Sequence, residues 1–423
     1  MTGTWRQFRS LPGGVRLLAV NQFGINLGFY MLMPYLANHL SSGLGMAAWT
    51  VGLVLGVRTL SQQGLFVVGG ALADRLGYKP MIVAGCALRA FGFALLGLVD
   101  TLPALLVASV ATGLAGALFN PSVRAYVAAD AGPRRVEAFA VFNVFYQAGI
   151  LIGPLVGLAL MTTDFRVVCL VAAAVFVLLT ALQIRSLPAR AERRDQPAGV
   201  RSDWRTVVGN RAFLLFSLAM ISSYVLSSQI YLALPLQAAH ALGPDLGDTG
   251  SSVLFAVSAV VAVIGQVRLT EWIRARWAAS RAVTAGLALM AASFLPLAWT
   301  AGLSGGLWAL VLALVTTVLL TLGTAVAYPF EMDTIVTLAD GRLVATHYGF
   351  YNTLSGIGIT LGNLATGWAW DVGIAHDRPS LVWIALTATG TAGTAALVLL
   401  QRAGHLPTRN TPEPTPTERT TTR

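Results

Sequence analysis

The sequence predicts an all-α integral membrane protein: twelve transmembrane helices in two pseudo-symmetric six-helix bundles. Three observations predict it. Of 423 residues, 56% are hydrophobic and 11% are charged, against roughly 25% charge in a soluble domain. Apolar stretches of about 20 residues recur along the chain, each long enough to cross a hydrocarbon core of roughly 30 Å. The two halves also carry the same marks at nearly constant offsets. A water-soluble enzyme of this length is excluded, in keeping with a mean hydropathy of +0.70.

The spans fall near 17–38, 49–73, 81–99, 103–128, 137–161, 166–185, 211–239, 250–270, 281–300, 305–333, 341–369 and 380–401. Residues 1–16 are polar and basic and lead into a full-length apolar run, so no cleavable signal peptide is expected. Gly77 and Pro80 follow the second span, Pro103 opens the fourth, Gly132 and Pro133 follow it, and Gly243 and Pro244 follow the seventh; each breaks a helix. An Arg-rich linker, 186–208, separates an N-terminal bundle (1–185) from a C-terminal one (209–402). Residues 403–423, rich in Thr, Pro and charge, are expected to form a disordered cytoplasmic tail.

The net charge of +10 does not mark a nucleic-acid face, because the basic residues sit in short segments between apolar runs. With the amino terminus inside, the outside loops hold only Arg166 and Arg378. The inside segments hold Arg6, Arg9, Arg16, Arg75, Lys79, Arg134, Arg135, seven arginines between 185 and 211, Arg274, Arg276, Arg281 and Arg342. Both termini are therefore expected in the cytoplasm. The Arg-over-Lys bias, with abundant Ala and Gly, suggests a GC-rich bacterial genome, and the expected location is a bacterial cell (plasma or inner) membrane. Cys86 and Cys169 lie within apolar runs, and no disulfide is expected.

The internal repeat pairs Tyr30, Pro34 and His39 with Tyr231, Pro235 and His240, all at an offset of 201. Asp130 pairs with Asp340 at 210, and Asn143 and Gly153 pair with Asn352 and Gly362 at 209. Parallel six-helix repeats are a transporter architecture. Gln22, Asn26, Tyr30 and Pro34 share one helical face, as do Ser223, Ser227, Tyr231 and Pro235, and on the fifth span Asn143, Tyr146, Gln147 and Pro154. Polar groups facing lipid lack partners, so these stripes line a wet cavity or bond helix to helix.

Ionisable residues within spans cost about 2.5–3.5 kcal/mol each on insertion scales, which makes them functional candidates. Glu331 and Asp333 are the only acids inside a span. They follow Tyr328 and Pro329, which are expected to disturb that helix. A carboxylate there binds a proton or a cationic group but not both; pairing with Arg is the structural alternative. Arg58, about 13 Å from the outer end by helix rise, must face protein or water and suits an acid, a carbonyl or an anionic substrate group. Arg89 suits structural pairing, and His240 and His347 suit the interfaces. No GxxxxGK[ST] run is present, so ATP is not the expected energy source. HExxH and DDxxD-type runs are absent, which disfavours a membrane enzyme.

Gly70-Ala71-Leu72-Ala73-Asp74-Arg75-Leu76-Gly77-Tyr78-Lys79-Pro80 resembles the GxLaDrxGrk signature of the major facilitator superfamily. Ala148-Gly149-Ile150-Leu151-Ile152-Gly153-Pro154-Leu155-Val156-Gly157 is similar to the gxxxGPxxGG motif of its twelve-helix drug:proton antiporter branch. The resemblance implies alternating access with a conformational latch at Gly70, Asp74, Arg75, Gly77 and Lys79. Gly70 permits close helix approach, Gly77 permits the reversal, and Asp74 meets the positive end of a helix or an Arg across the halves. Tyr78 stands where the motif has a second basic residue, for which Lys79 or Arg124 would substitute. The resemblance also implies that Gly149, Gly153, Pro154 and Gly157 pack at the interface between the halves and seal against leak. The branch's RxxqGxgaa motif would put Arg at 109, where this chain has Ser109. The tenth helix would line the cavity, giving proton coupling to Glu331 and Asp333. Gln22, Asn26, Tyr30, Arg58, Tyr146, Ser227, Tyr231 and Tyr328 would face the substrate. The implied function is export, by a monomer in the bilayer, of hydrophobic or amphipathic small molecules, neutral or weakly cationic. It would run on protons and need no cofactor. A nutrient facilitator or proton symporter is the rival on the same fold.

Overall fold

The computed structural model describes residues 2–40, 44–46, 48–161, 164–188, 200–242, 244–300 and 307–406. A short helix, α1 (Thr2–Ser10), precedes α2 (Gly13–Asn38), α3 (Ala48–Leu76), α4 (Tyr78–Leu98), α5 (Leu102–Ala131), α6 (Arg135–Met161) and α7 (Phe165–Ser186). A linker helix, α8 (Val200–Gly209), leads into α9 (Arg211–Ser228), α10 (Ala233–Leu242), α11 (Pro244–Arg274), α12 (Ala279–Ala292), α13 (Leu295–Thr300), α14 (Leu307–Leu338), α15 (Val344–Ala375) and α16 (Ser380–Arg402). The linker segment 189–199 and the tail 407–423 lie outside the described residues, as does Gly243.

Eight helical runs among the described residues combine the length and hydropathy of a span, and one of them, Leu102–Met161, is 60 residues long. That run is two crossings, because the chain reverses at Gly132, with φ 52°, and a 3-10 turn over Gly132–Arg134. Helices α2, α3 and α15, at 26, 29 and 32 residues, also suffice to cross a bilayer. With α9–α10 and α12–α13 each counted as one crossing, twelve result.

Two helices depart from expectation. The seventh crossing is broken by a 3-10 turn at Gln229–Tyr231. Its cause is local: Ser228 Oγ and Gln229 Nε2 each donate to the Val225 carbonyl at 2.7 Å, competing with the helix for that acceptor. The tenth, by contrast, runs unbroken through Pro329. Proline cannot donate to the carbonyl four residues back, but Gln266 of α11 donates to that carbonyl, Ala325 O, at 2.8 Å. A neighbouring helix thus satisfies what the proline leaves open.

In the first half α2 packs on α6 and α7, and α5 on α3 and α4; in the second, α14 packs on α11 and α12, and α9 on α15 and α16. The halves meet along α3 with α15 and α6 with α11. Leu60, Leu155, Leu178, Ile264 and Leu364 each expose more than half their surface, and Trp299 and Trp308 expose 92% and 75%. Apolar exposure of this extent needs hydrocarbon as solvent, with Trp at its interface. Cys86 and Cys169 are free and buried.

Candidate substrate and gating site

Three contacts lead those that tie the halves together on the arginine-rich face, where Gln7 also donates to Glu271 at 2.7 Å. Asp74, at the end of α3, accepts from the first N–H groups of α15: Ala345 N at 3.0 Å and Thr346 N at 2.6 Å, with Thr346 Oγ1 at 2.5 Å. A carboxylate on the unpaired amides of a helix start meets both free donors and a positive dipole end. The approach depends on Gly70, because a Cβ there would overlap the Ala345 carbonyl. The second contact joins Arg274 of α11 to Glu137 in the first turn of α6. Arg134 holds the other Glu137 oxygen at 2.8 Å. The third joins Arg135 of α6 to Asp333 of α14.

The remaining signature residues serve this face differently. Gly77, with φ 92°, makes the reversal into α4. Arg75 binds Asp203 of the linker helix α8 at 2.6 and 2.9 Å. Lys79 donates to Ile184 O at 2.9 Å. Tyr78 approaches Asp74 at 3.4 Å. Neither Lys79 nor Arg124 takes the motif's second basic position: Arg124 instead donates to Asn352 Oδ1 at 2.6 Å.

The glycines of α6 do not lie between the halves, as the motif implied. They lie against α2 of the same half. A Cβ at Gly149 would stand 2.6 Å from Phe23 O, one at Gly153 2.8 Å from Tyr30 Cβ, and one at Gly157 would overlap Met31 O. Pro154 O accepts from Tyr35 Oη at 2.8 Å. The second half meets α6 nearer its start, where Asn143 donates to Gln266 of α11 at 2.7 Å.

Along the axis the structure gathers tyrosines from both halves. The Tyr30 hydroxyl contacts those of Tyr146 and Tyr231, so a repeat-related pair meets across the axis. Gln22 donates to Asn26 at 3.2 Å, and Asn26 to Tyr146 O at 2.8 Å. Ser227 is bonded to its own helix at Tyr224 O, so its hydroxyl is spent on backbone. Glu331 is 3% exposed. It accepts from Tyr351 Oη at 2.5 Å and is also bonded by Tyr224. Asp333, two residues nearer the end, is not a second axial carboxyl: its ion pair with Arg135 places it in the closed face. Tyr328 contacts Arg124. Arg58 lies over the Phe29 ring at 5.3 Å, and Arg89 between Phe119 and Phe176 at 5.6 and 5.8 Å. His347 is held at Leu343 O at 2.8 Å, and His240 lies 6.1 Å from Trp370. Among the described residues no group of three or more His, Cys, Asp or Glu could hold a metal.

The sequence profile of the Major Facilitator Superfamily matches residues 18–363. The chain belongs to that superfamily. It is a multi-pass secondary transporter and not an enzyme. It is 52% identical over 393 residues to the uncharacterized MFS-type transporter Rv0849 of Mycobacterium tuberculosis (strain H37Rv), covering 92% of this chain and 94% of that one. It is 32% identical over 387 residues to the multidrug resistance protein MdtH of Citrobacter koseri, covering 91% and 93%. Its fold is that of the human organic anion transporter MFSD10 (TETRAN), with a TM-score of 0.71 at 16% identity over 91% of this chain and 98% of that one.

For a transporter of this superfamily, the residue whose place sequence reading most misjudged is Arg124, offered there only as a substitute for the motif's second basic residue. The fourth span was expected to end at 128, which puts Arg124 within a turn of the interface. The helix continues to Ala131, and Arg124 therefore lies about 10 Å inside its end by helix rise. Tyr224 and Tyr351 were missed. Neither carries a motif of its own, and only folding brings them to Glu331.

Proposed function

We propose that this transporter exports hydrophobic or amphipathic small molecules in exchange for protons, with Glu331 carrying the proton. One observation carries the reading: among the described residues, Glu331 is the carboxyl buried on the axis without an ion pair. Its partners are the neutral hydroxyls of Tyr351 and Tyr224. Such a group changes charge at modest cost, because phenols solvate either form. Arg124 stands nearby on the opposite half and attracts the carboxylate but not the neutral acid. Protonation from outside weakens that attraction and loosens the closed face. Substrate then enters from the cytoplasm, and the proton leaves to that side as the face closes again. In this reading the arginine-rich face is cytoplasmic, both termini lie there, and Asp74 latches the outward-open state. The protein works as a monomer in the bacterial cell membrane. The likeness to MdtH supports efflux over uptake.

The test uses inverted membrane vesicles energised to an acidic interior and followed with a pH dye. A panel of lipophilic compounds is added to wild type and to Glu331→Gln. Compound-dependent loss of the gradient in wild type, absent in Glu331→Gln, is expected. Equal loss in both moves the coupling site elsewhere, and no loss with any compound favours a facilitator.

A further inference from the structure

The charges in the middle of the membrane region, buried at Arg89 and Glu331 and half-buried at Arg58 and Arg124, do not balance. Arg58, Arg89 and Arg124 all belong to the first half, and Glu331 to the second. Arg124 is answered by Glu331 across the axis and by Asn352 and Tyr328. Arg58 and Arg89 have no carboxylate partner among the described residues. They stand close enough to repel one another.

Neither guanidinium is well satisfied among the described residues: Arg89 lies between two rings, and Arg58 makes only long bonds. Its Nη1 and Nη2 reach only neutral oxygens, Gln62 Oε1 and Thr59 Oγ1, each at 3.3 Å. Its Nε is buried without a partner. The Phe29 ring beneath it offers its π face but no counter-charge. Five donors in a fork suit a planar oxyanion, and this fork makes two long bonds. Phe29 belongs to an aromatic run, through Phe93 at 6.3 Å to Phe176 at 5.1 Å, which ends under Arg89. Tyr30, next to Phe29, carries the site to the axis through its contacts with Tyr146 and Tyr231.

We infer that the substrates are amphipathic organic acids, whose anionic group binds at Arg58, with Arg89 behind it, and whose apolar body lies along the tyrosines of the axis. The inference rests on the central site being the transport site. It reverses the preference for neutral or weakly cationic compounds, since an uncompensated pair of guanidinium groups repels a cation and a neutral body leaves them unanswered. The anion site and the proton site occupy different layers. Arg58 lies eighteen residues above the inner end of α3 and Glu331 seven above that of α14, a separation of about 15 Å by helix rise. The bound acid therefore does not displace the proton from Glu331 directly.

The test uses three probes of one shape: 1-naphthaleneacetate, its neutral amide, and 2-(1-naphthyl)ethylamine. Binding to the purified full chain in nanodiscs is read by tryptophan fluorescence. Wild type is expected to bind the acetate at least tenfold more tightly than the amide, with the amine weakest. Arg58→Gln should bring the acetate-to-amide ratio close to one, and Arg58→Lys should restore part of it. Equal or tighter binding of the amide or the amine by wild type overturns the inference, and this arm needs no variant to fold. So does an unchanged ratio in a folded Arg58→Gln. Preferential acetate binding by a protein that dissipates no proton gradient refutes the exchange mechanism and leaves the anion site standing. Gradient loss driven by the amine and not the acetate does the reverse.

Discussion

Replacing Asp74 with Asn should open the arginine-rich face. The carboxylate receives two backbone N–H groups, at 3.0 and 2.6 Å, and the Thr346 hydroxyl at 2.5 Å. A hydrogen bond to a charged group is worth about 1.5–3 kcal/mol net, and a charge at a helix N-terminus about 0.3–1, rising to about 2 when partly buried. Asparagine keeps the shape and one acceptor oxygen, but its amide group points donors at donors. The loss is then roughly one charge-assisted bond plus the dipole contribution, about 3 kcal/mol. That shifts the closed-to-open ratio about 150-fold. Pulsed electron paramagnetic resonance can read it with spin labels at Leu76 and Trp272, which are 54% and 48% exposed on opposite halves, in a background without Cys86 and Cys169. Wild type should give one short distance, and Asp74→Asn a second, longer one of comparable or greater weight. An unchanged distribution would refute the reasoning, because it is what a solvated loop charge predicts.

The other contacts give smaller effects. Arg135→Asp should raise the open fraction in the same assay, and adding Asp333→Arg should restore most of the wild-type value; no recovery in the double variant would deny that the two side chains act as a pair. Gln266→Leu removes the donor to Ala325 O that Pro329 leaves open. An unmet buried carbonyl costs about 1–3 kcal/mol, so the detergent-solubilised protein should melt several degrees lower, and an unchanged Tm would mean that α14 does not need that donor.

The membrane architecture was legible because hydrocarbon thickness imposes a length on every span, and twenty apolar residues are hard to mistake. The repeat was legible for a related reason: Tyr30 and Tyr231 sit at equal depth in duplicated units, and duplicates at equal depth meet at the axis. Partner choice was less legible. The glycines of α6 announce a close approach but not to which helix, and they turned out to face α2. Asp333 and Glu331 are two residues apart and indistinguishable in sequence. Helical rotation turns one toward Tyr351 and the other toward Arg135. Pro329 misled for a similar reason, since the donor that mends its helix comes from Gln266, 63 residues earlier in the chain.

The contacts that close the arginine-rich face are unequal, and their ranking bears on how a proton could open it. Arg135–Asp333 and Arg274–Glu137 keep 16–34% of their side-chain surface exposed, and solvated ion pairs contribute about 0–1 kcal/mol each. Asp74 bonds to main chain in a shielded helix contact and dominates the closure. The helix it holds, α15, also carries Tyr351, which binds Glu331, and Asn352, which binds Arg124. Thr346 and Asn352 are six residues apart on one helix, about 9 Å by rise. On the proposed mechanism the Asp74 contact and the proton carrier Glu331 thus share one rigid element, which needs only to tilt for both to change together. Asn352→Ala tests this, since Asn352 touches neither Asp74 nor Glu331 in the described bonds. If α15 is the link, the variant should raise the open fraction and also flatten its dependence on pH. An open fraction that rises while the pH dependence stays intact would separate the two and place the coupling on α14 instead.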